Sequence, residues 1–301
     1  MDIVLSIVGA ILFLAFLYML SGIIFSIKVN FASSRTHQMI YRNEWKENIP
    51  HGEINPFHKD IYLTSNLGYE MSARFFPAGD KNSHKYLLML HGYTNNSVTC
   101  GKYACVMTRR GINCIAPDAR KCGNTGGRGI TFGYYERSDA EQWIEEIYKM
   151  DEKAEIGIFG ISLGAATAIL TASLRNDIKY VISYCSFASF KDIIHDVGST
   201  MFPRLIKIMY PAIIIGGFIT TGARLDLIDI AAAVKKITCP VLILHSKGDA
   251  FTPFSHALKL KEANPGAELK FFEGSPHAKS FSKHKEQYTK YLNDFLNKNG
   301  I

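Results

Sequence analysis

Gly160-Ile161-Ser162-Leu163-Gly164 is the stretch on which the fold turns, and it reads G-x-S-x-G. Residues 155–159 before it form a short apolar run that the pattern predicts as a strand. Residues 163–174 after it are rich in alanine and are predicted as a helix. The pattern alone is common, and a serine in it can be no more than a helix N-cap after a glycine turn. The strand–turn–helix setting gives it a sharper meaning. Such a turn is so tight that a side chain at either glycine would collide with a neighbouring strand or helix. Ser162 would then stand at the carboxyl edge of a sheet, where open α/β architectures bind their ligands. The helix behind it offers free N–H groups and the positive end of its dipole. Ser162 is therefore a candidate nucleophile.

On both sides of this turn, strand and helix patterns alternate. Residues 60–64 and 70–76 are predicted as a hairpin around Asn66-Leu67-Gly68. Residues 86–91 are a short apolar run of the kind that lies buried on both faces of a parallel sheet, and 112–117, 178–185, 241–245 and 268–272 are also predicted as strands. Helices are predicted up to Arg110, over 138–150 with Trp143, Ile144 and Ile147 on one face, and from about Lys279 to Leu296. The alternation implies an α/β fold, a mainly parallel sheet of about eight strands flanked by helices. Residues 188–238 break it, holding helical segments and no clear strand, and are expected to form a small helical cap. Its runs Met201-Phe202, Leu205-Ile206, Ile208-Met209-Tyr210 and Pro211-Ala212-Ile213-Ile214-Ile215 fit an acyl-binding lid or packing on the sheet edge. Gly216-Gly217 and Gly222 are candidate hinges for such a lid.

Serine is a weak nucleophile and needs a base, itself oriented by a third group. On this kind of fold the chain order is Ser, then Asp or Glu, then His. Asp249 follows the run 241–245 directly, in Ser246-Lys247-Gly248-Asp249. His277 follows the run 268–272, in Gly274-Ser275-Pro276-His277. Singly, Asp249 could be a turn residue and His277 a helix-start residue; in order, each just past a strand, they read with Ser162 as a catalytic triad. A tetrahedral intermediate also needs oxyanion donors. The N–H of Leu163, next after the serine, is one candidate. The N–H of Tyr93, in Leu90-His91-Gly92-Tyr93-Thr94-Asn95-Asn96 after the third strand, is the other, with His91 expected to support that loop by hydrogen bonding.

These features resemble the α/β-hydrolase superfamily from about residue 55 to the C-terminus. They are especially similar to bacterial membrane-anchored hydrolases of the BEM46-like and serine-aminopeptidase-like branches. The resemblance rests on His91-Gly92-Tyr93, Asp118-Ala119-Arg120, the elbow at Ser162, Gly248-Asp249 and Pro276-His277. Relatives usually read Asp-x-Arg-Gly-His-Gly-x-Ser where this chain has Lys121 and Cys122 in place of Gly and His. That difference bears on the loop's shape, since the loop supplies no triad member. The resemblance implies hydrolysis of carboxylic esters, although the fold hosts many reactions.

Composition narrows the remaining classes. The chain has 301 residues, 47% of them hydrophobic and 20% charged, which is enough to bury a core. Net charge is +7, but there is no run of five Lys/Arg and no aromatic-basic motif, so no nucleic-acid partner is expected. Cys100, Cys105, Cys114, Cys122, Cys185 and Cys239 form no CxxC pair, and neither a metal nor an organic cofactor is signalled.

Residues 3–27 carry no charge. A helix over them is long enough to cross a hydrocarbon core of about 30 Å at about 1.5 Å per residue. A cleaved signal peptide would need a basic n-region and a small-residue cleavage site, whereas the chain begins Met1-Asp2 and reads Phe31-Ala32-Ser33-Ser34 further on. The expectation is a single-pass membrane protein with residues 1–29 as a transmembrane anchor. Residues 30–58 would be a linker and entry segment, and 59–301 the hydrolase domain with its cap. Lys28, Arg35, Arg42 and Lys46 all follow the span, which places that domain in the cytoplasm. The expected function is a serine esterase or lipase-like hydrolase forming an acyl-enzyme on Ser162 with a small-molecule acyl substrate. A peptidase or acyltransferase using the same triad is the alternative, and a non-catalytic binding member of the fold a weaker one.

Overall fold

The computed structural model describes residues 2–201 and 204–301. Eight strands form one sheet: β1 (Lys59–Thr64), β2 (Glu70–Phe76), β3 (Lys85–Leu90), β4 (Asn113–Pro117), β5 (Glu155–Ile161), β6 (Tyr180–Tyr184), β7 (Val241–Ser246) and β8 (Glu268–Phe272). Their spatial order is β1-β2-β4-β3-β5-β6-β7-β8. β1, β2 and β4 pair antiparallel, and every pairing from β4 through β3 to β8 is parallel. β3, β4, β5, β6 and β7 are buried almost throughout, as their unbroken apolar runs require.

Twelve helices accompany the sheet among the described residues: α1 (Asp2–Asn30), α2 (His37–Lys46), α3 (His51–Ile54), α4 (Gly101–Thr108), α5 (Glu136–Met150), α6 (Leu163–Ala172), α7 (Phe190–Met201), α8 (Leu205–Thr221), α9 (Ile230–Val234), α10 (Ser255–Ala263), α11 (Ser280–Lys283) and α12 (Lys285–Lys298). One core lies between the sheet and α5, α6 and the cap base, with Trp143, Ile144, Ile147 and Ile169 in it. A second lies on the other face, where Tyr103, Phe159, Phe272, Phe281 and Tyr288 stack. Helix α6 is buried along its whole length. Its small residues let it lie close against β5 and β6, which fixes the direction in which the elbow points.

Three parts of the chain differ from the sequence expectation. The stretch 30–58, expected as a linker and entry segment, carries α2 and α3, and Ile40, Ile49 and Ile54 pack into the second core. Thr36 starts α2 by accepting the Met39 N–H through its side chain, and the buried Lys102–Glu44 ion pair ties the helix to α4. The expected last helix is broken at His284 into α11 and α12. Helix α10, which the periodicity did not announce, buries His256, Ala257 and Leu260 beside β7.

The region 188–238 does form a helical cap, made of α7, α8, a 3₁₀ turn at Leu225–Leu227 and α9. Its base is closed by a bridge between Ser189 and Asp229. Helix α8 runs alongside α1 in the same direction. The Tyr18 hydroxyl donates to Ile208 O at 2.6 Å, and the Ser26 and Thr220 hydroxyls meet at 2.8 Å. Gly22 and Gly216 permit this approach, since a Cβ on Gly22 would strike the Ala212 backbone and one on Gly216 the backbone of Gly22. Of the expected hinge glycines, Gly216 and Gly217 are therefore packing glycines. Gly217 faces Leu225, and Gly222, at φ +73°, is the left-handed cap that ends α8. Of the expected lid residues, Phe202 lies outside the described residues.

Candidate active site

The elbow is built by close approach. A Cβ on Gly160 would strike the Gly164 and Ala165 backbone, and one on Gly164 would strike the Leu90 and His91 carbonyls. Ser162 sits between them at φ +56°, ψ −115°, a strained conformation for a residue with a side chain. Its N–H is held by Tyr184 O at 2.7 Å, which locks the turn to β6. The outcome is a buried serine whose hydroxyl leaves the sheet edge at the N-terminus of α6.

The residues expected to join it do so. The Ser162 Oγ lies 2.9 Å from His277 Nε2, and His277 Nδ1 lies 2.6 Å from Asp249 Oδ2. With Nδ1–H donating to the carboxylate, Nε2 is left to accept from the serine O–H. The other Asp249 oxygen accepts the Thr252 N–H at 2.8 Å and the Phe251 N–H at 3.0 Å. Burial pushes the Asp249 carboxyl up, but the hydrogen bond and charge of His277 and the Thr252 N–H outweigh it, and it stays below its ordinary range. Gly248 allows the two loops that carry Asp249 and His277 to touch, since a Cβ there would lie 2.9 Å from the Gly274 backbone. Thr252, whose hydroxyl is 3.1 Å from His277 Nδ1, is a site residue the sequence did not single out.

The two expected oxyanion donors lie beside the serine. A Cβ on Gly92 would be 3.4 Å from Ser162 Cβ, so the Gly92-Tyr93 turn packs on the elbow. Among the described residues, neither the Tyr93 nor the Leu163 N–H has a hydrogen-bond partner. His91 supports this turn from beneath: its Nδ1 donates to Gly92 O at 2.8 Å and its Nε2 accepts the Ala119 N–H at 2.8 Å. Burial pushes the His91 pKa down, which keeps the ring neutral for both roles.

The loop in which Lys121 and Cys122 depart from the usual pattern turns out to join the domain to α1. Lys121 adopts φ +60° and donates from Nζ to Phe31 O at 2.6 Å and Ala32 O at 3.1 Å. Ile130 N–H donates to Asn30 O at 2.8 Å, and the Tyr93 hydroxyl to Val29 O at 2.6 Å. The last carbonyls of α1, which a helix end leaves without partners, are thus satisfied by the domain.

Over the serine opens a cleft of about 690 Å³. Its walls include Glu44 of α2, Glu47 just past that helix, Tyr93, Phe251, His277 and Lys279, and no described residue of 188–238 is among them. The expected acyl-binding lid is corrected here. Leu205, Ile208, Ile215, Phe218 and Ile219 are exposed on α8, and its buried side packs on α1 and the cap base. Nothing in a residue count of the insertion separates those outcomes, because the deciding contacts are with α1.

Cys185, Asp249 and His277 bring ligand-type atoms within 4.8 Å of one another. The arrangement fits a triad better than a metal site. Burial pushes the Cys185 thiol well above its ordinary range, so it remains protonated, and His277 is committed at both nitrogens.

An elbow at the carboxyl edge of a mainly parallel eight-stranded sheet, with loops after β7 and β8 converging on it, defines the α/β-hydrolase fold, and this chain has it. Solved structures of that fold agree. The Pyrococcus furiosus esterase Pf2001 is similar with a TM-score of 0.65 and 22% identity, over 83% of this chain and 94% of that one. The Pyrococcus horikoshii acylaminoacyl peptidase is similar with a TM-score of 0.62 and 16% identity, over 80% of this chain and 41% of that one. More particularly, residues 81–215 match the family described as serine aminopeptidase, S33. The uncharacterized protein YqkD of Bacillus subtilis (strain 168) is 27% identical over 286 residues, covering 91% of this chain and 92% of its own length.

Proposed function

We propose that the chain is a serine hydrolase that cleaves a carboxylic ester or a related acyl substrate through an acyl-enzyme on Ser162. The observation that carries this reading is the continuous hydrogen-bonded line from Ser162 Oγ through His277 to the buried Asp249 carboxylate. In it, His277 Nε2 takes the serine proton as Oγ attacks the acyl carbon, and later returns it to the leaving group. Asp249 holds the ring in the required tautomer and stabilises the imidazolium. The Tyr93 and Leu163 N–H groups receive the oxyanion. Water, activated by the same histidine, then releases the acid. The reading requires no metal or cofactor.

Residues 1–29 serve in this reading as a single-pass anchor with the catalytic domain in the cytoplasm. Helix α1 supports it by length and composition, with a mean hydropathy of 2.8 over an 18-residue stretch within Ile3–Asn30. The following Lys28, Arg35, Arg42 and Lys46 support the orientation.

A fluorophosphonate probe tests the central claim. It should label the wild-type chain and fail to label Ser162→Ala; ordinary labelling of that variant would place the nucleophile elsewhere. A peptidase is the second reading, favoured by the match of residues 81–215 to the serine aminopeptidase family. A panel of p-nitrophenyl esters set against aminoacyl amides separates the two.

A further inference from the structure

We propose that a pocket at the foot of α1, between Arg120 and Arg128, binds a phosphate group. The pocket is about 290 Å³ and is bounded by Phe31, Arg120, Arg128, Thr131 and the end of α8 at Thr220–Gly222. It is separate from the cleft over Ser162, and the proposal goes beyond the catalytic reading.

Arg120 is the decisive residue. It is only 7% exposed, and its Nε and Nη1 are buried without a hydrogen-bond partner among the described residues. The guanidinium rests against the Tyr135 ring at 4.7 Å and the Tyr69 ring at 5.7 Å. Those rings shield it but accept none of its in-plane hydrogen bonds. The carboxylate that feels its charge, Asp139, is engaged by the Tyr69 hydroxyl at 2.6 Å and the Ser65 hydroxyl at 3.2 Å. The nearby Glu136 is engaged by the Thr131 N–H and hydroxyl and the Gly133 N–H. A buried guanidinium with unused N–H groups is costly unless something accepts from it.

The lining limits what that acceptor is. Two guanidiniums bound the pocket; Arg120 Nε and Nη1 are shut off from it, so Arg120 offers its positive charge and its Nη2 edge, and paired guanidinium charge suits a phosphate better than any neutral group. Thr220 and Thr221 already donate their hydroxyls to Gly216 and Gly217, so the donors left for a ligand are the arginines. Lys121, next in the chain, spends its ammonium on Phe31 and Ala32 and adds positive potential nearby. The place fits one source of phosphate well. Phe31 follows the uncharged span 3–27 by one helical turn, about 6 Å at about 1.5 Å per residue, which is the depth of a phospholipid headgroup where an anchor leaves the bilayer. Free phosphate offers the same chemistry, and the experiment separates the sources.

The full chain is reconstituted in nanodiscs of a phosphate-free galactolipid and in nanodiscs of phosphatidylglycerol, and Tm is measured in each. Ligand binding to the folded state raises Tm. The expected result is a higher Tm in phosphatidylglycerol, or in galactolipid discs given sodium phosphate in place of sodium chloride at equal ionic strength. That rise should disappear in Arg128→Gln, whose exposed side chain can be changed without touching the core. A rise with phosphatidylglycerol assigns the site to a headgroup, and a rise with sodium phosphate alone assigns it to the free anion. No rise in either arm, or an undiminished rise in Arg128→Gln, overturns the proposal. Arg120→Gln should behave as Arg128→Gln does; if it does not fold, the exposed variant still decides. Probe labelling of Ser162, read on the same samples, reports the catalytic reading independently.

Discussion

The Tyr93 hydroxyl donates a 2.6 Å hydrogen bond to the carbonyl of Val29, in the last turn of α1. The same residue follows Gly92 in the turn that packs on the Ser162 elbow, so one side chain ties the proposed oxyanion turn to the N-terminal helix. Lys121 braces the same helix end from the other side. An oxyanion donor works only if it is aimed within a fraction of an ångström, and removing one such donor outright costs about 10²–10³ in kcat. Tyr93→Phe keeps the N–H and loses only the tether. Its kcat should fall about tenfold, a fraction of that cost, with KM nearly unchanged. Lys121→Gly, which also relieves the positive φ, should act in the same direction, and Lys121→Arg should restore activity. Unchanged kcat in both Tyr93→Phe and Lys121→Gly would show that α1 does not position the turn.

Much of this site is legible in the sequence because β5 and β7 are short apolar runs between polar turns, and Ser162, Asp249 and His277 each fall on the loop after a strand. A residue just past a parallel strand is on the ligand-binding edge by topology alone. Helix α2 is different. Its buried side is Ile40 and Glu44, a pattern too short to stand out, and Glu44 is buried because Lys102, 58 positions later, pairs with it. The cap shows a further limit. Its apolar residues are evident, but whether they face a substrate or α1 depends on the Gly22–Gly216 contact, a relation between distant segments. Lys121 stands out as a departure from a pattern, yet its role depends on where α1 ends.

The triad variants should act as a unit. Ser162→Ala and His277→Ala should each lower kcat by about 10⁴–10⁶, and combining them should cost little more, since members of one proton-transfer unit are not additive. Asp249→Asn should cost up to about 10⁴ by favouring the wrong tautomer of His277. Ester hydrolysis rates across the three variants and one double variant check this, and additive losses would contradict a shared unit.

Three buried histidines set the acid side of stability. Burial lowers the pKa of His91, His245 and His256 in the folded chain. The unfolded chain, with histidines near 6.5, binds more protons below that pH than the folded one does. Stability is therefore complete above about 6.5 and declines as pH falls below it. Asp139, raised to about 6 chiefly by burial, works in the opposite sense, losing stability as pH rises toward 6. One carboxyl against three imidazoles leaves the histidines dominant. Thermal melts from pH 8 to pH 5 should show a falling Tm, and a flat or rising profile would refute the assignment.

If α1 is a retained anchor, the protein should stay with membranes through high salt and carbonate washes. Release by salt alone would indicate a surface-bound basic domain. The exposed residues of the catalytic domain should be inaccessible to an impermeant reagent applied outside intact cells. Ready modification there would reverse the proposed orientation.

The cleft walls make the acyl-length dependence a direct test of what binds the substrate. A fully buried methylene contributes about 0.8 kcal/mol, close to fourfold in kcat/KM if the burial persists in the transition state. Cap helix α8 offers Leu205, Ile208, Ile215, Phe218 and Ile219, but none of them lines the cleft. The apolar wall beside the histidine is Phe251, whose ring centroid is 5.0 Å from that of His277. The same cleft is also lined by the charged Glu44, Glu47 and Lys279. The specificity constant should therefore climb over the first few methylenes, by less than about fourfold each, and then level off. Phe251→Ala should flatten that climb. Ile215→Ser and Phe218→Ser should leave it unchanged, provided the variants keep their fold. A steep rise through long chains that depends on Phe218 would return the cap to the role of an acyl-binding lid, and would require it to move away from α1 during turnover.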